Sequence, residues 1–307
     1  MITNSVLRAS GNAKTPAKIM TISAIANIVL DPILIFGLFG APRLEVEGAA
    51  IATVLANAGT MVASILIVVF NEKLVTFRHL WPSLIIDSWR RILHVGLPSM
   101  ASSLIAPMTT AFITYQVAQF GQEAVAGFGV ASRIEGVALM VLMAMSAAVT
   151  PMVGQNYGAL KFERVQQSVN WCYRFSLIYG LAVAALMAGA AGFIAGAFTD
   201  NADAIATTKM HMRIVPISYI ALGCAMSVNS AFNAIGKPMP AMFISMTRTI
   251  LVYAPLAFLF ANLFGLVGVF AAACTANFIA GGVGTAWFRM VFRAKMADHQ
   301  QTVEASA

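Results

Sequence analysis

Asn27-Ile28-Val29-Leu30-Asp31-Pro32 decides how this chain is read. The six residues lie inside an apolar run from Ala17 to Phe39. A helix needs ~20 residues to cross the hydrocarbon of a bilayer, so the run is long enough to span it. Asp31 is its only acid and lies well inside it. Even on lenient insertion scales an ionised carboxylate there costs ~2.5–3.5 kcal/mol. Asn27 stands four residues earlier, on the same helix face. Pro32 has no N–H for the carbonyl of Ile28, which weakens the helix beside the acid and predicts a kink. A polar pair, a kink and a low dielectric together read as a cation or proton site. The competing reading is a break between two half-segments, with Asp31 near the surface.

The rest of the chain repeats the theme of apolar runs. Of 307 residues, 59% are hydrophobic and 10% are charged, and mean hydropathy is +0.81. Soluble domains are ~25% charged. The fold class is therefore all-α: a polytopic membrane protein in contact with the lipid bilayer. Eight spans are expected, over about 17–39, 48–70, 92–118, 125–153, a fifth ending near 198, 210–232, 241–263 and a last one ending near 287. The residues between spans are read as loops, including 71–91 and 154–174. Met1–Lys18 is too polar to hold the apolar core of a signal peptide.

The net charge of +7 suits loops that obey the positive-inside rule rather than a nucleic-acid partner. Of 19 Lys and Arg residues, 14 fall on one side of the membrane, among them Lys14, Arg78, Arg90, Lys161 and Lys237. Three (Arg43, Lys209 and Arg213) fall on the other, and Arg133 and Arg248 fall inside spans. That bias places both termini in the cytoplasm of a cell with an inner membrane. Trp81 and Trp89 suit an interfacial belt. Cys172, Cys224 and Cys274 are far apart in apolar runs and read as small hydrophobes. The four histidines show no metal-ligand spacing, and no metal site is expected. With no cluster of nucleophile and base there is no catalytic site either, and an enzyme is excluded.

The first and last pairs of spans echo each other. Gly11 and Pro16 recur as Gly236 and Pro240, at offsets of 225 and 224. Gly48-Ala-Ala-Ile-Ala-Thr-Val-Leu-Ala-Asn57 recurs as Gly268-Val-Phe-Ala-Ala-Ala-Cys-Thr-Ala-Asn277, at an offset of 220. Pro32 and Pro255 fall in the same frame. Six helices separate equivalent spans, which gives parallel six-helix repeats and a two-lobed transporter. The expected domains are 1–70, the last two helices of a first lobe; 71–91, a cytoplasmic linker; 92–288, a second six-helix lobe; and 289–307, a cytoplasmic tail. Projecting the repeat backwards predicts that four helices of the first lobe, about 130 residues, are missing. The lobes differ in charge: the first has Asp31-Pro32 where the second has Ala254-Pro255, and the second buries Arg248.

The quoted segments, with Leu7-Arg8-Ala-Ser-Gly11 before them, resemble the fifth and sixth helices of the multidrug and toxic compound extrusion (MATE) family, and Ser132-Arg133-Ile-Glu135-Gly136 and Thr150-Pro151-Met-Val-Gly-Gln155-Asn-Tyr157-Gly158 resemble its eighth helix and the loop after it. The likeness runs on to helix twelve of twelve. It implies export of small amphipathic, often cationic, compounds by antiport against protons or sodium ions, with no cofactor beyond the coupling ion. In prokaryotic members the first-lobe cation site combines an Asp on the first helix with an Asn and an Asp on the fifth and a Thr on the sixth. Asn27, Asp31 and Thr53 match the last three, and the first has no counterpart in this chain. Thr53 also reads as an ordinary back-bonded hydroxyl. Glu135, Arg133 and Arg248 are the candidates for a polar site in the second lobe, with Arg133 and Glu135 pointing to different sides of their helix. A low dielectric favours the neutral acid at Asp31, so proton uptake can drive exchange while Pro32 lets the helix bend. Sodium, held by the same three oxygen-bearing side chains, is the competing coupling ion. A lipid-linked oligosaccharide flippase and an uncoupled membrane scaffold or channel are the alternatives.

Overall fold

The computed structural model describes residues 2–74 and 82–306; Arg78 and Trp81 lie outside them. The described residues are helical almost throughout. An eight-residue helix α1 (Ile2–Ala9) precedes α2 (Lys14–Phe36) and α3 (Glu45–Leu66), and α3 ends in a π-helical turn, Ile67–Asn71. Then follow α4 (Pro82–Ala118), α5 (Gln122–Gly158), α6 (Phe162–Phe198), α7 (Ala202–Ile214), α8 (Tyr219–Ala234) and α9 (Pro238–Met246). A π-helical turn, Thr247–Tyr253, joins α9 to α10 (Ala254–Ser306). Gly265, at φ 60° and ψ −141°, breaks α10 in two. With α7–α8 as one span and α9–α10 divided at Gly265, the described residues hold eight apolar segments long enough to cross a membrane.

Several boundaries move outward from the sequence reading. The third span begins at Pro82, not Ile92, so Trp89, Arg90 and Arg91 are helical rather than part of a loop. The expected basic loop 154–174 shrinks to Ala159–Lys161 between α5 and α6. The last helix continues past Arg289 to Ser306. Hydropathy reports only the stretch matched to hydrocarbon. A 37-residue helix such as α5 is ~55 Å long, well beyond the ~30 Å core. Its backbone stays hydrogen-bonded after its side chains turn polar. Ile2–Ala9, ahead of the first expected span, is a helix; Gly11, at φ 95°, follows its end.

The chain divides into two compact units, up to Ser88 and from Trp89. In the first, α2 and α3 form a hairpin. Asn12 ties its ends together, accepting from the Thr15 N–H at 3.1 Å and donating to Glu72 Oε1 at 2.7 Å. Ile22, Ile25 and Ile28 stay exposed, as suits helices solvated by lipid or by other helices. The second unit has a core of three hydrophobic clusters. One cluster gathers Phe162, Phe232, Phe288 and Phe292, another Phe128, Leu142, Met212, Tyr219 and Phe270, and a third Tyr253, Ala257, Ala272 and Ala276.

The two prolines of the repeat frame behave differently. Regular α-helix continues through Pro32 to Phe36, which removes the reading of two half-segments. Ahead of Pro255 the chain is wound into the wider π turn, and that turn carries Arg248. The glycines Gly48 and Gly268 share one role. A Cβ on Gly48 would overlap the carbonyl of Leu34, and one on Gly268 the carbonyl of Phe260, so each lets the chain fold back tightly on the helix before it. Gly268→Ala is expected to lower stability by ~1–3 kcal/mol, the usual cost of overpacking, seen as a lower Tm of the purified protein in detergent. Gly282→Ala, with open space around it, is the control and should leave Tm unchanged.

Candidate functional site

Among the described residues, two polar patches line cavities, one in each unit. In the first, Asn27 and Asp31 share a face of α2, and Asn27 Nδ2 donates to Asp31 Oδ1 over a long 3.4 Å. Both side chains are half-buried. Thr53 sits on α3, exposed, with its hydroxyl donated back to the Ala49 carbonyl at 2.9 Å. That bond uses the only hydroxyl hydrogen and leaves the oxygen lone pairs available. Asn27 and Thr53 line one cavity of about 560 Å³, with Asn4, Ser23, Asn57 and Thr60. Asp31 lies one turn beyond Asn27, outside that lining.

Four of these lining residues were not anticipated, although their spacing carried the signal. Ser23, Asn27 and Asp31 follow each other at intervals of four, and Thr53, Asn57 and Thr60 at four and three. Each set is a polar stripe on one helix face. Ser23 and Thr60 both donate to the Ala56 carbonyl at 2.9 Å, tying α2 to α3 beside the cavity. Buried Asn4 reaches in from α1 and accepts from Ser64 at 2.8 Å.

The second patch surrounds a cavity of about 320 Å³ within the second unit. Glu135 comes from α5 and Arg248 from the π turn, and both line it. Arg133 is exposed on the other side of α5 and takes no part. The unforeseen member is His211, on α7, fully buried. Its Nε2 stands 3.3 Å from Glu135 Oε2. Its ring packs edge-on against Phe270 at 5.0 Å and Phe128 at 5.7 Å. A hydrogen on Nε2 gives the Glu135 carboxylate a donor, and Nδ1 is then left without a partner. The sequence signal was an ionisable residue within an apolar span; its partner, 76 positions away, could not be read from spacing.

Arg248 is held by neutral groups. Its Nη1 donates to Asn277 Oδ1 at 3.2 Å. Asn277 Nδ2 donates to Ser218 Oγ at 2.9 Å, and Ser218 donates to the Val215 carbonyl at 2.7 Å. That relay joins the π turn, α10 and the bend between α7 and α8. Beside Arg248, the hydroxyls of Thr249 and Thr109 are 2.8 Å apart. The phenol of buried Tyr253, also at the cavity wall, has no partner. Cavity walls of Phe128, Phe270 and Leu222 are apolar. The first patch can hold a proton or small cation on oxygen atoms; the second presents a histidine-paired acid and a guanidinium to an aromatic-walled space. Among the described residues no group of acids, histidines and cysteines is arranged to bind a metal.

Residues 98–259 match the MatE family. A FAD transporter of Shewanella oneidensis is 31% identical over 281 residues, covering 92% of this chain and 62% of that protein. A probable multidrug resistance protein NorM of Thermotoga maritima is 26% identical over 273 residues, 86% of this chain and 57% of that one. The crystal structure of the Vibrio cholerae MATE transporter VcmN in the bent form is similar with a TM-score of 0.86 at 32% identity, covering 95% of this chain and 65% of that one. The chain thus spans less than two thirds of each relative's length. More than half of its residues fit the family, its helices follow those of a solved MATE transporter, and the chain belongs to the MATE family of membrane transporters.

Proposed function

We propose that the chain exports small amphipathic organic compounds by antiport, coupled to protons or sodium ions through Asp31. The observation that carries the reading is the Asn27–Asp31 pair on one face of a membrane helix, with Asn27 and Thr53 on one cavity. Asp31 takes up the coupling ion. A proton removes its charge; sodium keeps it and takes oxygens from Asp31, Asn27 and Thr53. Either way the cost of an ionised carboxylate in hydrocarbon changes, and α2 responds at Pro32, where the helix lacks one hydrogen bond. Substrate binding and ion binding then favour different states, which is what exchange requires. The relatives named as multidrug resistance proteins support an organic substrate. The relative named as a FAD transporter, together with Arg248, supports a second reading in which that substrate is an anion rather than a cation.

We place the protein in the inner membrane with both termini in the cytoplasm, supported by the bias of Lys and Arg. Cysteines introduced at Arg43 and Asp200 are expected to react with a membrane-impermeant maleimide in intact cells. Cysteines at Lys161 and Lys237 should react only after permeabilisation, and the reverse pattern would invert the topology.

Asp31→Asn is expected to reduce gradient-driven export by at least ~10-fold, equivalent to ~1.4 kcal/mol or more, measured as substrate accumulation in inverted vesicles with an imposed proton or sodium gradient. Thr53→Val, which loses one oxygen ligand, should reduce sodium-driven export and spare proton-driven export. Undiminished export by Asp31→Asn would sink the coupling mechanism.

A further inference from the structure

The second-unit cavity holds a guanidinium with most of its hydrogen-bonding capacity unused. Arg248 has five N–H donors in a planar fork, and one of them is spent on the neutral amide of Asn277. Glu135 lies within electrostatic reach of it. Among the described residues, however, no carboxylate is within ion-pair distance of Arg248, and the Glu135 carboxylate is engaged by His211. An unpaired charge in a largely apolar setting is costly. A ligand that brings an anionic group removes that cost and gains charge-assisted, bidentate hydrogen bonds.

We propose that this cavity binds the anionic end of the exported compound, and that the compound is aromatic with a phosphate or carboxylate group. The assignment rests on the exporter reading above and names its substrate class. Four features carry it. Arg248 lines the cavity with open donors. The Asn277–Ser218 relay fixes the guanidinium from behind. The rings of Phe128, Phe270 and Tyr253 form the walls. The Tyr253 hydroxyl, on a side chain 1% exposed at the cavity wall, lacks a partner. A volume of about 320 Å³ is at the small end of ligand pockets, ~300–1,000 Å³. It suits a ring or an acidic headgroup rather than a whole dinucleotide.

The test is equilibrium binding of riboflavin 5′-phosphate and of riboflavin to the purified protein in nanodiscs, read by flavin fluorescence. The two probes share a ring system and differ by one phosphate. The wild type is expected to bind the phosphate ester at least ~10-fold more tightly, as a charge-assisted pair provides. Arg248→Gln should erase that preference to within ~2-fold and leave riboflavin affinity unchanged. Glu135→Gln removes the cavity's own negative charge and should tighten the phosphate ester several-fold, with riboflavin unaffected. Equal affinity of the two probes for the wild type, or no saturable binding of the phosphate ester, overturns the proposal. So does a phosphate preference that survives Arg248→Gln. If Arg248→Gln does not fold, unchanged or weaker binding of the phosphate ester by Glu135→Gln overturns it instead. No gradient enters this measurement, so its failure is separable from failure of the coupling role of Asp31.

Discussion

Hydrocarbon offers a polar group no partner, and that one constraint shapes almost every feature of the chain. It makes the described residues helical almost throughout, because only a helix satisfies its own N–H and C=O groups within one segment. It also decides where the hydroxyls go. Ser99, Ser103, Thr110 and Thr114 along α4 each donate to the carbonyl four residues back, so they cost the membrane little. Two groups of polar side chains that are not silenced in this way line cavities, one in each unit. There they meet each other, and there the helices carry ionisable groups.

The two places use one scaffold for different chemistry. In each repeat a glycine near the start of the returning helix stands too close to its neighbour for a side chain, Gly48 or Gly268. Each has a proline at a matching position. Beside Pro32 stands an acid on a regular α-helix. Before Pro255 the helix widens, and the widened turn presents Arg248 to a cavity. A wide turn redirects side chains and recurs at functional positions in helices. Here it sets a guanidinium where the relay through Asn277 and Ser218 can hold it.

The second cavity is therefore asymmetric in charge. Its acid is matched by a histidine from a neighbouring helix, and its base is matched only by amide and hydroxyl groups. Aromatic rings fix the histidine from two sides, which limits how the Glu135–His211 pair can rearrange. The first cavity is softer. The contact from its Asn27 out to Asp31 is long, and Thr53 is exposed and turned to its own helix. A proton or small cation suits such oxygens, while an aromatic-walled pocket with a fixed guanidinium suits an organic group.

The sequence alone determined the class of protein and the helices. Runs of ~20 apolar residues admit few other structures, and the Gly and Pro spacings carried the repeat. It also singled out Asp31, Asn27, Glu135 and Arg248 as candidates, because a polar residue inside an apolar run stands out without any coordinates. The polar stripes through Ser23 and through Asn57 and Thr60 were legible in the same way and needed only helical period. Helix ends were not legible, since side-chain polarity changes at the lipid boundary while backbone hydrogen bonding does not. Only the tertiary structure decided the partners. It joined Glu135 to His211, set Arg133 aside, and linked Arg248 to Asn277 and Ser218. Those pairings depend on which helices pack together and on their rotation, and both are fixed by contacts between residues far apart in the chain.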